Sequence, residues 1–167
     1  KKGWNVQYKN FVLAGGTKED CFDFLREDNS DCYFFWTVNL SIPTDKELQA
    51  FIYKQRPEAV SVFLGPGGTY FTSLLLENTA SIVVRGEPEE TVDELITLLA
   101  TGSDWRNIKG ISYLDSVSGK VINNPARPLI KNLDELPFPA IHFIQNYVFS
   151  NPKLKVSPYM SVVTSRN

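Results

Sequence analysis

Few residues of this chain are equipped for covalent or metal chemistry. His142 is its only histidine, and Cys21 and Cys32 are its only cysteines. A Ser/His triad or a histidine-rich metal site therefore has little to draw on, and two thiols fall short of the three or four ligands that zinc or an iron–sulfur cluster needs. No carboxylate, lysine or hydroxyl stands out as a catalytic acid, base or nucleophile. What the chain offers instead is backbone. Ala59–Thr69 reads AVSVFLGPGGT, an apolar run that stops at Gly65-Pro66-Gly67-Gly68 before Thr69. Glycines serve where a chain must turn sharply or lie close to a ligand. A strand feeding such a loop and then a helix start leaves N–H groups facing outward. Taken alone, such a loop is more often a plain tight turn, so the elements around it have to decide.

Hydrophobic spacing supplies those elements. Val60, Val62 and Leu64 fit a buried strand, and Phe71, Leu74, Leu75 and Leu76 carry a helix from Thr69 to about Glu77. Upstream, Trp4–Val12 reads as a strand with imperfect alternation and Glu19–Glu27 as a helix. Cys32–Val38 (CYFFWTV) has the composition of a strand buried on both faces. Pro43 suits the first turn of a helix over Thr44–Gln55, with Leu48, Phe51 and Ile52 inward. Ser81–Val84 is a further short strand, and Glu89–Ala100 a helix with acids in its first turn. Strands and helices alternating at this spacing predict an α/β fold with a doubly wound parallel sheet, flavodoxin-like or Rossmann-like. Right-handed crossovers would set the strand-end loops on one edge, where open α/β sheets bind ligands.

Beyond residue 105 the texture changes. Ile111–Leu114 and Lys120–Ile122 read as a hairpin, and Asn123–Pro139 as an extended, Pro-rich connector. Ala140–Val148 reads as a short helix and Tyr159–Thr164 as one more strand, after which the chain stops at Ser165-Arg166-Asn167. A strand so placed suggests continuation beyond this point. The expected divisions are 1–105 for the α/β domain, 106–158 for hairpin and connector, and 159–167 for the start of something further.

The bulk numbers limit the choices. With 167 residues, 43% of them hydrophobic, the chain can bury one real core. A net charge of −2 with both signs interspersed shows no footprint for nucleic acid or an anionic membrane. No apolar run reaches the length of a membrane span, and KKGWNVQYKN lacks a signal-peptide core. Two thiols in an enzyme-sized α/β chain are more often reduced, which points to the cytoplasm.

Several stretches together resemble one family. VVRGEPEET, then IKGISYLDSVSGKVINNPARPLIKNLDELPFPA, then YMSVVTSR are similar to the N-terminal part of cobalamin-dependent radical S-adenosylmethionine (SAM) proteins. That family includes many methyltransferases and the anaerobic magnesium-protoporphyrin monomethyl ester oxidative cyclases. The resemblance implies a cobalamin-binding α/β domain, a hairpin, a Pro-rich connector and then the radical SAM barrel, with YMSVVTSR as its first strand. The iron–sulfur cluster and SAM would belong to that barrel, whose Cys-x-x-x-Cys-x-x-Cys motif is absent here, so this piece would not be catalytic alone. The barrel would be the domain's partner, and the small-molecule substrate stays open. The family's first strand and helix also lack a counterpart, Lys1–Gly3 resembling only the tail of that helix, and no Asp-x-His-x-x-Gly motif offers an axial histidine.

Carried over by position, the corrin-facing loops would be Thr37-Val38-Asn39, Gly65-Pro66-Gly67-Gly68-Thr69 and Arg85-Gly86-Glu87. Bland readings stand beside each. Thr37 could cap a strand, and Arg85 and Glu87 could form a structural ion pair. Trp36 stands where relatives often carry a small serine, and its bulk could fill the space of a cobalamin tail. The sequence therefore leaves three functions open: a cobalamin module of a methyltransferase or oxidative cyclase, a scaffold of the same fold that binds no cobalamin and shapes a substrate entrance, and an independent phosphate or nucleotide site at the Gly65–Thr69 helix start.

Overall fold

The computed structural model describes residues 3–143, which fall into two compact units. The first takes residues 3–25 and 137–143 of the described chain, and the second runs from Arg26 to Leu136. In the first, residues 3–10 form no regular element, although a strand was expected over Trp4–Val12. Trp4, Val6 and Tyr8, the apolar half of that imperfect alternation, are exposed, so no buried face fixes them as a strand. Helix α1 (Lys18–Glu27) follows. It starts on a reciprocal cap, with the Thr17 hydroxyl accepting from the Asp20 N–H at 3.2 Å and the Asp20 carboxylate accepting from the Thr17 N–H at 2.7 Å. Phe11 and Phe24 meet with ring centroids 5.9 Å apart. Of the expected 140–148 helix only a 3₁₀ turn, Ile141–Phe143, lies within the described residues; the 159–164 strand lies outside them.

The second unit holds the sheet. Its strands are β1 (Cys32–Trp36), β2 (Val60–Leu64), β3 (Ser81–Val84), β4 (Ile111–Leu114) and β5 (Val121–Asn123), lying side by side in chain order. β1, β2 and β3 are parallel, and the hairpin β4–β5 extends the sheet antiparallel to β3. Helix α2 (Ile42–Gln55) crosses from β1 to β2. The short helices α3 (Pro66–Tyr70) and α4 (Thr72–Leu75) cross from β2 to β3, and α5 (Glu89–Ala100) follows β3. Both crossovers advance in one direction, so a common handedness puts them on one face, and the core agrees. Phe63 and Val83 pack there with Ile42, Leu75 and Leu76. On the other face Val62, Ile82, Val84, Ile111 and Tyr113 pack with Leu95 of α5 and with Ile108. Ser81–Val84 is buried at every position, as a strand covered on both faces must be.

Two expectations need correction. Cys32–Val38 is not buried on both faces. β1 ends at Trp36 and, among the described residues, lies at one edge of the sheet, with Phe34 44% and Trp36 65% exposed. An all-apolar run carries no period that separates an edge strand from a central one. The helix expected over Thr69–Glu77 is instead two short pieces that start earlier, at Pro66, and break at Phe71 (φ −123°, ψ 33°). Among the described residues no helix is long and apolar enough to cross a membrane.

Polar contacts fix the ends of these elements. Gln49, buried on α2, exchanges two amide hydrogen bonds with Asn78, at 2.9 and 3.1 Å. Both cysteines are free thiols, and burial pushes that of Cys32 up to about 12, followed in effect by the neighbouring Asp31 charge. Such a thiol is a packed apolar group and not a nucleophile.

Candidate functional site

The C-terminal ends of β1, β2 and β3 lie next to one another, so the loops that leave them form one rim. The register pairs Trp36 with Leu64 and Phe63 with Val83, which sets the three exits side by side. Backbone bonds then join them. The Thr37 N–H donates to the Leu64 carbonyl at 2.8 Å, and the Gly67 N–H donates to the Thr37 carbonyl at 2.8 Å. The Gly86 N–H donates to the Thr69 hydroxyl at 3.1 Å, tying the third loop to the second. The loops expected at Thr37–Asn39, Gly65–Thr69 and Arg85–Glu87 are thus brought together.

The glycines have distinct duties in this rim. Gly65 sits at φ +88°, a conformation that side chains with a Cβ rarely adopt, and it turns the chain out of β2 into Pro66. A Cβ on Gly67 would lie 2.6 Å from Thr37 Cγ2, and one on Gly68 would lie 3.2 Å from the Phe63 carbonyl oxygen and 3.3 Å from that of Val84. The pair therefore seats directly over the ends of all three parallel strands. Above Gly86 nothing stands within 4 Å of a Cβ position, so that part of the rim opens to solvent.

Side chains divide between holding the rim and facing outward. Thr37, Gly67 and Gly68 are buried, whereas Val38, Asn39, Pro66 and Gly86 are exposed. Arg85 and Glu87 do not pair as the structural ion pair of the bland reading would have it. The Arg85 guanidinium donates to the carbonyls of Ile111, at 3.1 Å, and Asn124. The Glu87 carboxylate accepts the Ile130 N–H at 2.7 Å. Both side chains tie the rim to the hairpin and connector, and the connector is held again where Arg127 meets Glu90 and Glu94 of α5.

Sequence reading missed the support beneath the first loop. The Ser41 hydroxyl accepts from the Val38 N–H at 3.0 Å and donates to the Asp45 carboxylate at 2.7 Å. Burial raises the Asp45 carboxyl above its ordinary value, with hydrogen bonds from Ser41 and Thr37 opposing the rise. The spacing of Ser41 and Asp45 across the first turn of α2 was the available signal. A raised folded-state value means that the native protein holds this proton to higher pH than the unfolded chain does. Stability from this site is therefore greatest below the ordinary aspartate range, near 3.9, and declines as pH rises through the folded value. Asp45→Asn should accordingly raise the melting temperature at pH 7, and the gain should vanish at about pH 3.5. A lower melting temperature at pH 7 would show that the charged hydrogen bond outweighs burial.

Two cavities of about 280 and 390 Å³ lie beside α5. One is lined by Leu99 and residues 102–106, the other by Glu90, Lys109 and the connector from Arg127 to Asn132 with Glu135. The rim itself is an open surface of backbone, apolar side chains and an exposed indole. Its glycines keep it flush with the strand ends, and the space over Gly86 is clear. Such a surface offers a broad face for many weak contacts and no focused site for a small anion. Against an anion, α3 has only five residues and so too little helix to focus a dipole.

No protein-family model matches the chain. It is 37% identical over 133 residues to an uncharacterized methyltransferase of Pyrococcus horikoshii, a match covering 78% of this chain and 28% of that protein. It is 34% identical over 85 residues to the anaerobic magnesium-protoporphyrin IX monomethyl ester cyclase of Rubrivivax gelatinosus, covering 48% of this chain and 15% of the cyclase. Among solved structures, its fold is similar to part of the radical SAM methyltransferase TsrM from Kitasatospora setae (TM-score 0.60, 17% identity, 74% of this chain, 24% of that one). It is also similar to part of OxsB, a cobalamin-dependent SAM radical enzyme solved with aqua-cobalamin and SAM bound (TM-score 0.56, 19% identity, 68% of this chain, 16% of that one). The chain thus spans 28% or less of the length of each of these proteins. Sequence likeness and fold likeness meet on the resemblance drawn from the motifs: the chain is similar to part of a methyltransferase and part of the cyclase, and it has the α/β fold found in parts of two radical SAM enzymes.

Proposed function

We propose that this domain binds cobalamin on the rim at the C-terminal ends of β1, β2 and β3, in a larger radical SAM methyltransferase. The observation that carries the reading is the rim's construction: three loops hydrogen-bonded into one surface, with Gly67 and Gly68 seated flush on the strand ends. Exposed Val38 and Asn39 would meet the corrin edge or tail, and Gly65, Pro66 and Thr69 would offer backbone and a hydroxyl. The open backbone at Gly86 would extend the surface. Arg85, Gly67, Gly68 and Glu87 would act indirectly, by fixing the loops. When bound, cobalamin supplies a carrier for a methyl group or a redox partner. The cluster and SAM would be held by a barrel outside this domain, and an oxidative cyclisation in place of methyl transfer is the variant that the cyclase relative suggests.

A specific feature favours a second reading. Trp36 crowds the β1 end of the rim, and a domain that kept the fold without cobalamin would serve as a scaffold beside a substrate entrance. Titration with hydroxocobalamin and methylcobalamin, followed by gel filtration and visible absorption, separates the two. Corrin bands co-eluting with the protein are expected. A protein that emerges free of corrin at saturating ligand would leave the scaffold.

A further inference from the structure

Trp36 does more than crowd the rim. A Cβ built on Gly65 would lie 3.3 Å from both Cδ2 and Cε2 of the indole. These are the two ring-fusion carbons, each bonded to three ring atoms, so neither can be approached in the ring plane. Gly65 therefore lies against the face of the indole. A residue with a Cβ at position 65 would push the ring away, and the glycine keeps one face seated. The side chain as a whole is nonetheless 65% exposed, which leaves its opposite face to solvent. It stands at the end of β1, an edge strand among the described residues, one residue before Thr37 and near exposed Val38. A braced indole with one open face at the margin of a ligand rim is built as a stacking platform. Aromatic faces of this kind hold planar heteroaromatic groups without needing hydrogen-bond complementarity.

We infer that Trp36 stacks on the heteroaromatic base of the cofactor's nucleotide tail, and so selects corrinoids that carry a base over those that lack one. This rests on the cobalamin reading above. The corrin ring needs the breadth of the whole rim, whereas a single bicyclic base matches the area of one indole face. Trp36 would then be a specificity-determining wall of the tail site and not a plug in it.

The test compares cobalamin with cobinamide, the same corrin without its nucleotide tail, on wild type, Trp36→Phe and Trp36→Ser. Because the residue is exposed, both variants should keep the wild-type far-ultraviolet circular dichroism. Trp36→Ser should weaken cobalamin on the order of tenfold or more, the range of aromatic stacking on a base, and leave cobinamide within about twofold. Trp36→Phe should restore most of the cobalamin affinity. Cobalamin should also quench tryptophan emission in wild type, and that quenching should shrink in Trp36→Ser, where only Trp4 and Trp105 remain. Tighter cobalamin binding by Trp36→Ser would overturn the inference, since the indole would then be an obstruction. Equal affinities of wild type and Trp36→Ser for cobalamin would also overturn it, while leaving the cobalamin reading intact. A wild type that retains neither corrinoid would remove the cobalamin reading and the stacking role together.

Discussion

Gly67→Ala should disrupt the rim even though it adds a single methyl group. The new Cβ would lie 2.6 Å from Thr37 Cγ2, 2.8 Å from the Thr37 carbonyl oxygen and 3.0 Å from its carbonyl carbon. Two of those three atoms are backbone, and Thr37 is fully buried behind a β-branched side chain with little freedom at χ1. Nothing flexible is available to move aside. The loop must lift, and lifting it stretches the 2.8 Å bond from the Gly67 N–H to the Thr37 carbonyl. Overpacking of this kind costs about 1–3 kcal/mol, and occasionally more. Chemical denaturation should therefore show a lower midpoint with an unchanged slope. The double variant Gly67→Ala/Thr37→Ser removes the contact to Cγ2 but leaves those to the backbone, so it should recover only part of the loss. Full recovery would show that the threonine methyl alone limits the site, and an unperturbed Gly67→Ala would show that the rim is not close-packed. Substitution here also tests the fold before it tests any ligand, which makes Gly67 and Gly68 poor positions for probing binding in isolation.

The parts of the molecule that could be read from sequence were those whose spacing carries a physical period. Ser81–Val84 and Glu89–Ala100 have the bounds expected of them, because one is a short run with three apolar residues bounded by turns and the other combines an acidic first turn with a helical apolar face. The Gly-rich loop was found from composition, yet its reason was only half visible. The glycines admit the strand ends, at Thr37, Phe63 and Val84, and that close approach is tertiary. The same limit explains β1. CYFFW has the composition of a central strand, and only the sheet order shows that among the described residues it lies at an edge, with Phe34 and Trp36 exposed. For Trp4–Val12 the local preference for extended chain was present, but a strand is fixed by a buried face, and Trp4, Val6 and Tyr8 are exposed. The three rim loops were assembled by family likeness, and their mutual hydrogen bonds give that assembly a physical basis.

Arg85 is the position where a ligand role and a structural role make opposite predictions. Its guanidinium donates to the carbonyls of Ile111 and Asn124, which lie at the start of β4 and just past the end of β5. Its backbone N–H meanwhile donates to the Gly110 carbonyl at 2.8 Å. The side chain therefore clamps the hairpin to β3 at the point where the Gly110 N–H bonds the Pro125 carbonyl and Asn124 N–H bonds the Ile111 carbonyl. Arg85→Ala would leave these acceptors short of a charged donor in a partly buried position. Hydrogen bonds to charged groups contribute about 1.5–3 kcal/mol, so a stability loss of that order is expected. Arg85→Lys should recover only part of it, because both carbonyls accept from one terminal nitrogen, Nη2, and a lysine side chain ends one bond short of that position. The cofactor response tells the two roles apart. If the clamp is the whole role, the folded fraction of Arg85→Ala should bind cobalamin like wild type once measured below its unfolding transition. If the arginine also meets the ligand, affinity should fall in excess of what the folded fraction explains, and in the lysine variant as well. We expect the first outcome, since both protein carbonyls already lie within reach of this guanidinium and direct it toward the hairpin.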